Sequence, residues 1–374
     1  MALLLLVGGI GFFWAGVALR VARGRADTRW KLGLDAPVAE DLPTLVVVIP
    51  ARDEARNIGA CVAALRASDH PNLRIVVFDD GSTDGTADLA RDAGATVVEG
   101  GGAELPPGWK GKPWALERAR ANLGEGDWLV FVDADVRVAR GALSRLHTYA
   151  ITGGVDLLSG FGRLEMASFW EYVVQPSVGG LILAGNDLAK MNDDANAEKA
   201  IANGQLILVR RSAYDAVGGH AAVKDDILDD IGMAKAFKAA DFKVRCLMIR
   251  ELFSCRMYTG FSELWHGWTK NLYPGMEFKT GVVVLVAVLV LVEFLSPYAI
   301  TLYAALAGDT TLFAASLALL LLIHGVRAWM DRIFDQPLPY GLLQPLGATI
   351  LLGLLFDSVR RTRAGTRTWK GRTY

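Results

Sequence analysis

The sequence is short of cysteine, of net charge and of the glycine motifs that hold nucleotides by their phosphates. Its 374 residues include three cysteines, Cys61, Cys246 and Cys255. They show no CxxC spacing and cannot all pair, which argues against a disulfide framework and against a zinc ribbon. Lys and Arg number 39 against 40 Asp and Glu, a formal charge of -1. That balance argues against nucleic acid as the main partner, since binding a phosphate backbone normally needs a basic domain. The glycine fingerprint GxGxxG and the phosphate loop GxxxxGK[ST] are both missing, which disfavours a Rossmann oxidoreductase and a P-loop enzyme. Charged residues make up only 21%, below the roughly 25% of an ordinary soluble domain.

The counterpart of that scarcity is a hydrophobic share of 52%, and it is unevenly placed. Residues 3 to 19 and 281 to 357 hold most of the long apolar runs, whereas 42 to 250 read as a water-soluble α/β sequence. This distribution argues against an all-soluble enzyme and against a transporter that crosses the bilayer along its whole length. The run ALLLLVGGIGFFWAGVAL, 2 to 19, carries no charge and leads into Arg20, Arg23, Arg25, Arg29 and Lys31. Its length approaches the roughly 20 residues needed to span a hydrocarbon core. A signal peptide would have a basic n-region and a small-residue cleavage site, so the run reads as an anchor with the following residues in the cytoplasm. Candidate spans follow at 281–306, interrupted by Glu293 and Pro297, at 310–326, and at 341–357, which contains Gln344 and Pro345. The final RRTRAGTRTWKGRTY is basic and without acid, which predicts a cytoplasmic tail near anionic headgroups. Three full crossings after a cytoplasmic domain would leave that tail outside. Either 341–357 is re-entrant or interfacial, or another boundary differs.

Between the apolar ends, strand and helix patterns alternate. LVVVIP (45–50), RIVVFDD (74–80), ATVVEG (95–100) and WLVFVDAD (128–135) are short β-branched runs. Helical stretches are expected from about 54 to 67 and from 86 to 93. The pattern predicts an α/β fold with a mostly parallel sheet covered on both faces, whose ligands bind beyond the carboxyl ends of the strands. Those ends carry Pro50, Asp53 and Glu54, then Asp79 and Asp80, and then Asp133 and Asp135. Carboxylates there can accept from a base N–H and from ribose hydroxyls. Taken alone, Asp80-Gly81-Ser82 reads as only a turn with an Asx cap for the next helix. Asp133 and Asp135 are two apart in an extended segment and so share a side. Adjacent carboxylates repel unless a cation sits beside them, and Mg2+ or Mn2+ bridging to phosphate oxygens is the natural occupant. A last acidic group, Asp225, Asp226, Asp229 and Asp230, has helical spacing and is expected to open a helix.

These motifs together resemble the family 2 glycosyltransferases of GT-A fold, over about Leu45 to Tyr273. The resemblance rests on VVVIPARDEARNI, VVFDDGSTDGT, GWKGKPWAL, VFVDADV, NGQLILVRRSAYDAVGGH (203–220) and DDIGMAKAFKAADFKV (229–244), found in the family's order. LPPGWKGKPWA and RMYTGFSELWHGWTKN, with the flanking spans, are similar to membrane-anchored bacterial enzymes that glycosylate carotenoid or other terpenoid lipids and to hopanoid-associated enzymes. The resemblance implies an inverting transfer from a nucleotide-diphosphate sugar to a lipid acceptor. It implies nucleotide binding by Pro50, Asp53, Glu54, Asp79, Asp80, Lys112 and Asp133, and a divalent cation on Asp133 and Asp135. Asp230 would be the base, with Asp229 beside it, and Gly204, Gln205, Trp265, Trp268 and Lys270 would border the acceptor and diphosphate. Two departures stand out: the acidic pair is Asp229-Asp230 in place of Glu-Asp, and no QxxRW follows, which weakens the alternative of a processive polysaccharide synthase. A tethered nucleotide-binding protein without activity is a further alternative. The expected organisation is an anchor over 1–20, a GT-A domain over 42–250, an amphipathic interface segment over 251–280, a membrane module over 281–357 and a basic tail over 358–374.

Overall fold

The structure, a computed structural model, describes residues 1–366 and the backbone of 368–369 and 372–373. Of the expected basic tail, residues 367, 370, 371 and 374 lie outside the described residues. The strands are β1 (Leu45–Ala51), β2 (Leu73–Asp79), β3 (Thr96–Glu99), β4 (Trp128–Val132), β5 (Val136–Val138), β6 (Leu157–Phe161), β7 (Arg163–Leu164), β8 (Leu206–Arg210), β9 (Val244–Met248) and β10 (Phe253–Cys255). Between and around them run α1 (Ala2–Ala26), α2 (Ile58–Arg66), α3 (Thr86–Asp92), α4 (Gly111–Arg120), α5 (Ala142–Gly153), α6 (Phe169–Gly185), α7 (Leu188–Met191), α8 (Arg211–Ala216), α9 (Asp229–Ala239) and α10 (Phe261–Gly275). The remaining helices are α11 (Thr280–Leu289), α12 (Ser296–Ala307), α13 (Thr310–Ile333) and α14 (Gln344–Arg363), with a π-helical turn, Val290–Leu295, joining α11 to α12.

Seven strands make one sheet in the order β3-β2-β1-β4-β8-β6-β9. β3, β2, β1 and β4 are parallel, and β8 runs antiparallel to both β4 and β6. The sheet is therefore mixed but mostly parallel. β1 lies inside it with Leu45 to Ile49 fully buried, which accounts for its unbroken apolar run. Alternate residues face opposite sides. Val47 and Ile49 pack with Ile58, Val62 and Leu65 of α2, while Val46 and Val48 pack with Leu116 of α4 and Phe237 of α9. Each side chain so buried contributes about 1.5–3 kcal/mol. A small second sheet, β5-β10-β7, closes one end.

α2 starts at Ile58, later than the pattern suggested, because the amides before it are already committed. Asp53 N donates to Ser82 Oγ, Glu54 N to Thr86 Oγ1 and Ala55 N to Asp84 Oδ2, all at 2.8–2.9 Å. The loops after β1 and β2 are thereby knitted into one rim.

Among the described residues, four helices are long and apolar enough to cross a membrane by length and composition: Ala2–Ala26, Thr280–Ala307, Thr310–Ile333 and Leu338–Arg363. After α1 the chain docks on the sheet, with Leu32 N donating to Met248 O and Met248 N to Trp30 O.

Candidate active site

The polar residues beyond the carboxyl ends of β1, β2 and β4 gather at one edge of the sheet. Asp79 is buried and accepts from Ser82 N at 3.2 Å and from the Ser82 hydroxyl. Its carboxylate shapes the turn, whereas the Asx alternative assigns that duty to Asp80. Asp80 is buried beside it, and Arg52 Nη1 donates to its carbonyl at 2.7 Å. Asp53 is exposed with a left-handed backbone, φ 52°, and its Oδ1 accepts from Thr83 N at 2.9 Å. Gly81 shares this strain-prone region, φ 75°, and a Cβ there would stand 2.3 Å from Gly102 Cα. Only glycine lets the two loops approach so closely. The rim is thus a hydrogen-bonded crescent with Pro50, Glu54 and Asp80 along it.

The deeper part is a chain of charged contacts. Lys112 stands in the first turn of α4, where Pro113 is tolerated because no intrahelical partner is lost. Its Nζ donates to Asp133 Oδ1 at 2.6 Å and to Gly204 O at 2.9 Å. Gly204 N in turn donates to Asp230 Oδ2 at 2.7 Å. A Cβ on Gly204 would lie 3.1 Å from Asp230 Oδ2 and 3.2 Å from Lys112 Nζ, so the absence of a side chain keeps base candidate and lysine together. Asp133 N is held by Gln205 O at 3.0 Å, and Gln205 Oε1 accepts from Asn203 Nδ2 at 3.0 Å. Asp229 and Asp230 open α9, where the helix dipole tolerates negative charge.

The charges perturb one another. Burial and then Asp229 push the Asp230 carboxyl up to about 6. Burial opposes the Lys112 ammonium, yet Asp133, Asp229 and Asp230 outweigh it and raise its pKa above the ordinary lysine value. Lys270, half-buried on α10, has a pKa lowered by burial, an effect offset in part by Asp229 and reinforced by the like charge of Lys112. α10 therefore reaches the same cluster.

Asp135 lies past β4 in the turn before β5, and its pKa is raised by burial and then by Asp133. Its Oδ1 is buried with no hydrogen-bond partner among the described residues. An unsatisfied carboxylate oxygen beside a second carboxylate is costly and suits a hard cation. Among the described residues no group of three or more His, Cys, Asp or Glu is arranged to hold a metal ion. The donor set fits Mg2+ or Mn2+ held by one or two carboxylates, with phosphate oxygens and water completing the shell.

Two of the expected acceptor residues serve as bolts. Trp268 is buried and its Nε1 donates to Gln175 Oε1 of α6 at 2.7 Å. Trp265 Nε1 donates to Asp357 Oδ2 of α14 at 2.8 Å. His220 is buried against Phe131 and bonded to Tyr214 OH at 2.7 Å. Sequence reasoning passed over Asn203 and Ser159. Asn203 Nδ2 also donates to Gly160 O at 3.1 Å, and Ser159 Oγ donates to Asn203 O at 3.0 Å. Only the polar Asn-Gly-Gln run before a buried strand signals them.

Comparison with known proteins bears on the family and the fold. Residues 46–218 match the model of Glycosyl transferase family 2. A 4,4'-diaponeurosporenoate glycosyltransferase of Staphylococcus aureus (strain USA300) is 29% identical over 234 residues, 62% of this chain and 61% of that protein. The match thus spans about 61% of the relative's length. Among solved structures, a mannosyltransferase from Pyrobaculum calidifontis in complex with GDP-Man and Mn2+ superposes with a TM-score of 0.53 at 18% identity. It covers 93% of this chain and 99% of its own, a likeness of fold.

Proposed function

We propose that this chain, whose residues 46–218 are a glycosyl transferase family 2 domain of GT-A fold, moves a sugar from a nucleoside-diphosphate sugar to a lipid acceptor, inverting the anomeric carbon. The observation that carries this reading is the continuous path Asp133–Lys112–Gly204–Asp230 at the sheet edge. Lys270 reaches it from α10, which packs among the apolar helices. An aqueous donor site and a lipid surface meet there.

The crescent of Pro50, Asp53, Glu54, Asp79 and Asp80 is suited to a base and ribose, through acceptors for ring N–H and hydroxyl groups. Lys112 and Lys270 offer positive charge beside a diphosphate as its negative charge grows, which favours the transition state over the ground state. Asp133 and Asp135 would hold Mg2+ or Mn2+, which when bound supplies Lewis-acid charge to the leaving diphosphate. Asp230, with a pKa raised to about 6, is ionised at neutral pH and close enough to it to take a proton from an acceptor hydroxyl. Attack from the face opposite the diphosphate gives inversion. Where the acceptor is a carboxylate, no proton need be removed and the role of Asp230 shrinks. The S. aureus relative supports a carotenoid or other terpenoid lipid as acceptor. The four apolar helices support residence in the cell membrane, and the basic Arg20, Arg23, Arg25, Arg29 and Lys31 after the first apolar run support a domain on the cytoplasmic face.

The test is release of nucleoside diphosphate by the full chain in lipid bilayers, over a panel of nucleotide sugars and with a terpenoid lipid extract. One donor should be consumed in an extract-dependent manner. No extract-dependent release with any donor would refute the reading.

A further inference from the structure

The four apolar helices are not packed alike. α1, α12 and α13 form one bundle, with Ile10 and Trp14 against Ala304, Leu319 and Ile323. α14 instead packs mainly on α6 and α10, placing Ala348, Leu351 and Leu354 against Val173 and Leu264, and meets the second apolar helix at Val283 and Val290, in α11 and the π-helical turn. Both partner helices hang from the soluble domain. α6 starts in a capping box, Ser168 with Glu171, and Arg256 clamps Glu171 at 2.9–3.0 Å. α10 is tied through Glu263, which accepts from Arg56 at 3.1 Å and Thr259 N at 2.9 Å.

Contacts with the domain mark one common side of the bundle. Arg250 donates to Ile333 O, at the end of α13, at 2.8 Å. Glu277, just before α11, pairs with Lys235 of α9 at 3.1 Å. α14 has both its ends on that side. Before its start, Gly341 is so close to the last turns of α13 that a Cβ would lie 2.8 Å from Asp331 Oδ2. At its end, Arg363 Nη2 donates to Thr280 Oγ1, the first residue of α11, at 3.1 Å. A 20-residue helix is about 30 Å long and could span a bilayer, but a span must place its ends on opposite sides.

We infer that α14 lies along the bilayer surface facing the catalytic domain, so that the chain crosses three times and its basic C-terminal segment returns to the domain side. The exposed stripe of α14 agrees in chemistry. Leu346 and Phe356 are 38% and 72% exposed, as is Leu342 in the turn just before the helix at 67%, and the stripe ends in exposed Arg360 and Arg363. The apolar part enters the acyl boundary while the arginines meet anionic headgroups. The opposite face is bolted to α10, with Asp357 accepting from Trp265, and Ser358 Oγ donating to Thr269 O at 2.6 Å and accepting from Tyr273 N at 3.0 Å. α14 thereby sets the height above the lipid of the helix that carries Lys270. This topology also removes the conflict between the third apolar run and the basic tail.

Single cysteines read the topology without reference to activity. Cys61, Cys246 and Cys255 are buried, so the parent chain gives a low background. Ala364→Cys and, as a second position, Thr366→Cys follow α14. Glu125→Cys marks the domain side and Ala307→Cys the far side, all at exposed positions. In sealed vesicles of known orientation, a membrane-impermeant maleimide should label 364 and 366 together with 125, and opposite to 307. Labelling of 364 and 366 together with 307 would overturn the inference.

Discussion

Replacing Lys112 by Met removes one charge from the centre of the cluster and should move a pH limb. A Cβ on Gly204 would lie 3.1 Å from Asp230 Oδ2 and 3.2 Å from Lys112 Nζ. The two charges are therefore at most about 6.3 Å apart, which at an effective dielectric near 20 is worth about 2.6 kcal/mol. That energy corresponds to a pKa change of about two. Lys112 now holds the Asp230 carboxyl down against burial and Asp229. In Lys112→Met its pKa should rise further above about 6. A base works ionised, so the acid limb of the kcat/KM profile should shift upward by one to two pH units, by the same Coulomb estimate. Part of the rate lost at pH 7 should return by pH 9. Lys112→Arg keeps the charge and should keep the limb near its original place. The assay is nucleoside diphosphate release at limiting donor across pH 5 to 9. A uniform loss of rate with the limb unmoved would refute the coupling of Lys112 to Asp230.

Asp230→Asn, with its side chain nearly isosteric, should lower kcat by roughly 10²- to 10⁴-fold with a hydroxyl acceptor while donor binding, read by calorimetry, stays within about threefold, since ground-state donor contacts are left in place. Asp135→Asn should raise the concentration of Mg2+ or Mn2+ needed for half-maximal turnover, and excess EDTA should abolish turnover until the metal is returned; turnover indifferent to both would contradict the cation site. Folding should weaken in mild acid. Burial, then Lys112 and Arg120, push His220 down to about 3, and burial, then His70, push His147 down to about 4, from 6.5. Both are neutral when folded, so their contribution is complete above pH 6.5 and is lost as pH falls, by about 1.4 kcal/mol per pH unit for each. Thermal melts in detergent should fall steadily from pH 7 to 5, and less steeply in a His147→Gln variant that still folds.

The parts of the fold that follow from local chemistry were legible in the sequence. The apolar runs of β1, β2 and β4 are visible because strands buried on both faces cannot alternate, and Asp229 opens α9 where a helix N-terminus favours acid. β8 was not foreseen as a strand. Its LILVR run, 206–210, reads as a buried strand only once β4 and β6 stand on either side of it. α2 was placed four residues too early because the Asp53 to Ala55 amides are satisfied by Ser82, Thr86 and Asp84, residues remote in sequence. In the site, the carboxylates could be found by their places at strand ends, but not which of them does structural duty. Asp79 caps its own turn, and Trp265 and Trp268 are fastened to α14 and α6. Lys112 was legible only by resemblance, since its importance comes from Gly204 and Asp133, 92 and 21 residues away.

The central claim is that a water-soluble donor site serves a lipid acceptor at the membrane surface. The most direct measurement is the fate of a radiolabelled sugar after membranes holding the full chain are given the preferred nucleotide sugar. Label recovered in a single small lipid extractable into organic solvent, and absent from membranes lacking the chain, is the predicted result. Label retained in a long water-soluble polymer, or no label in any lipid, would contradict it.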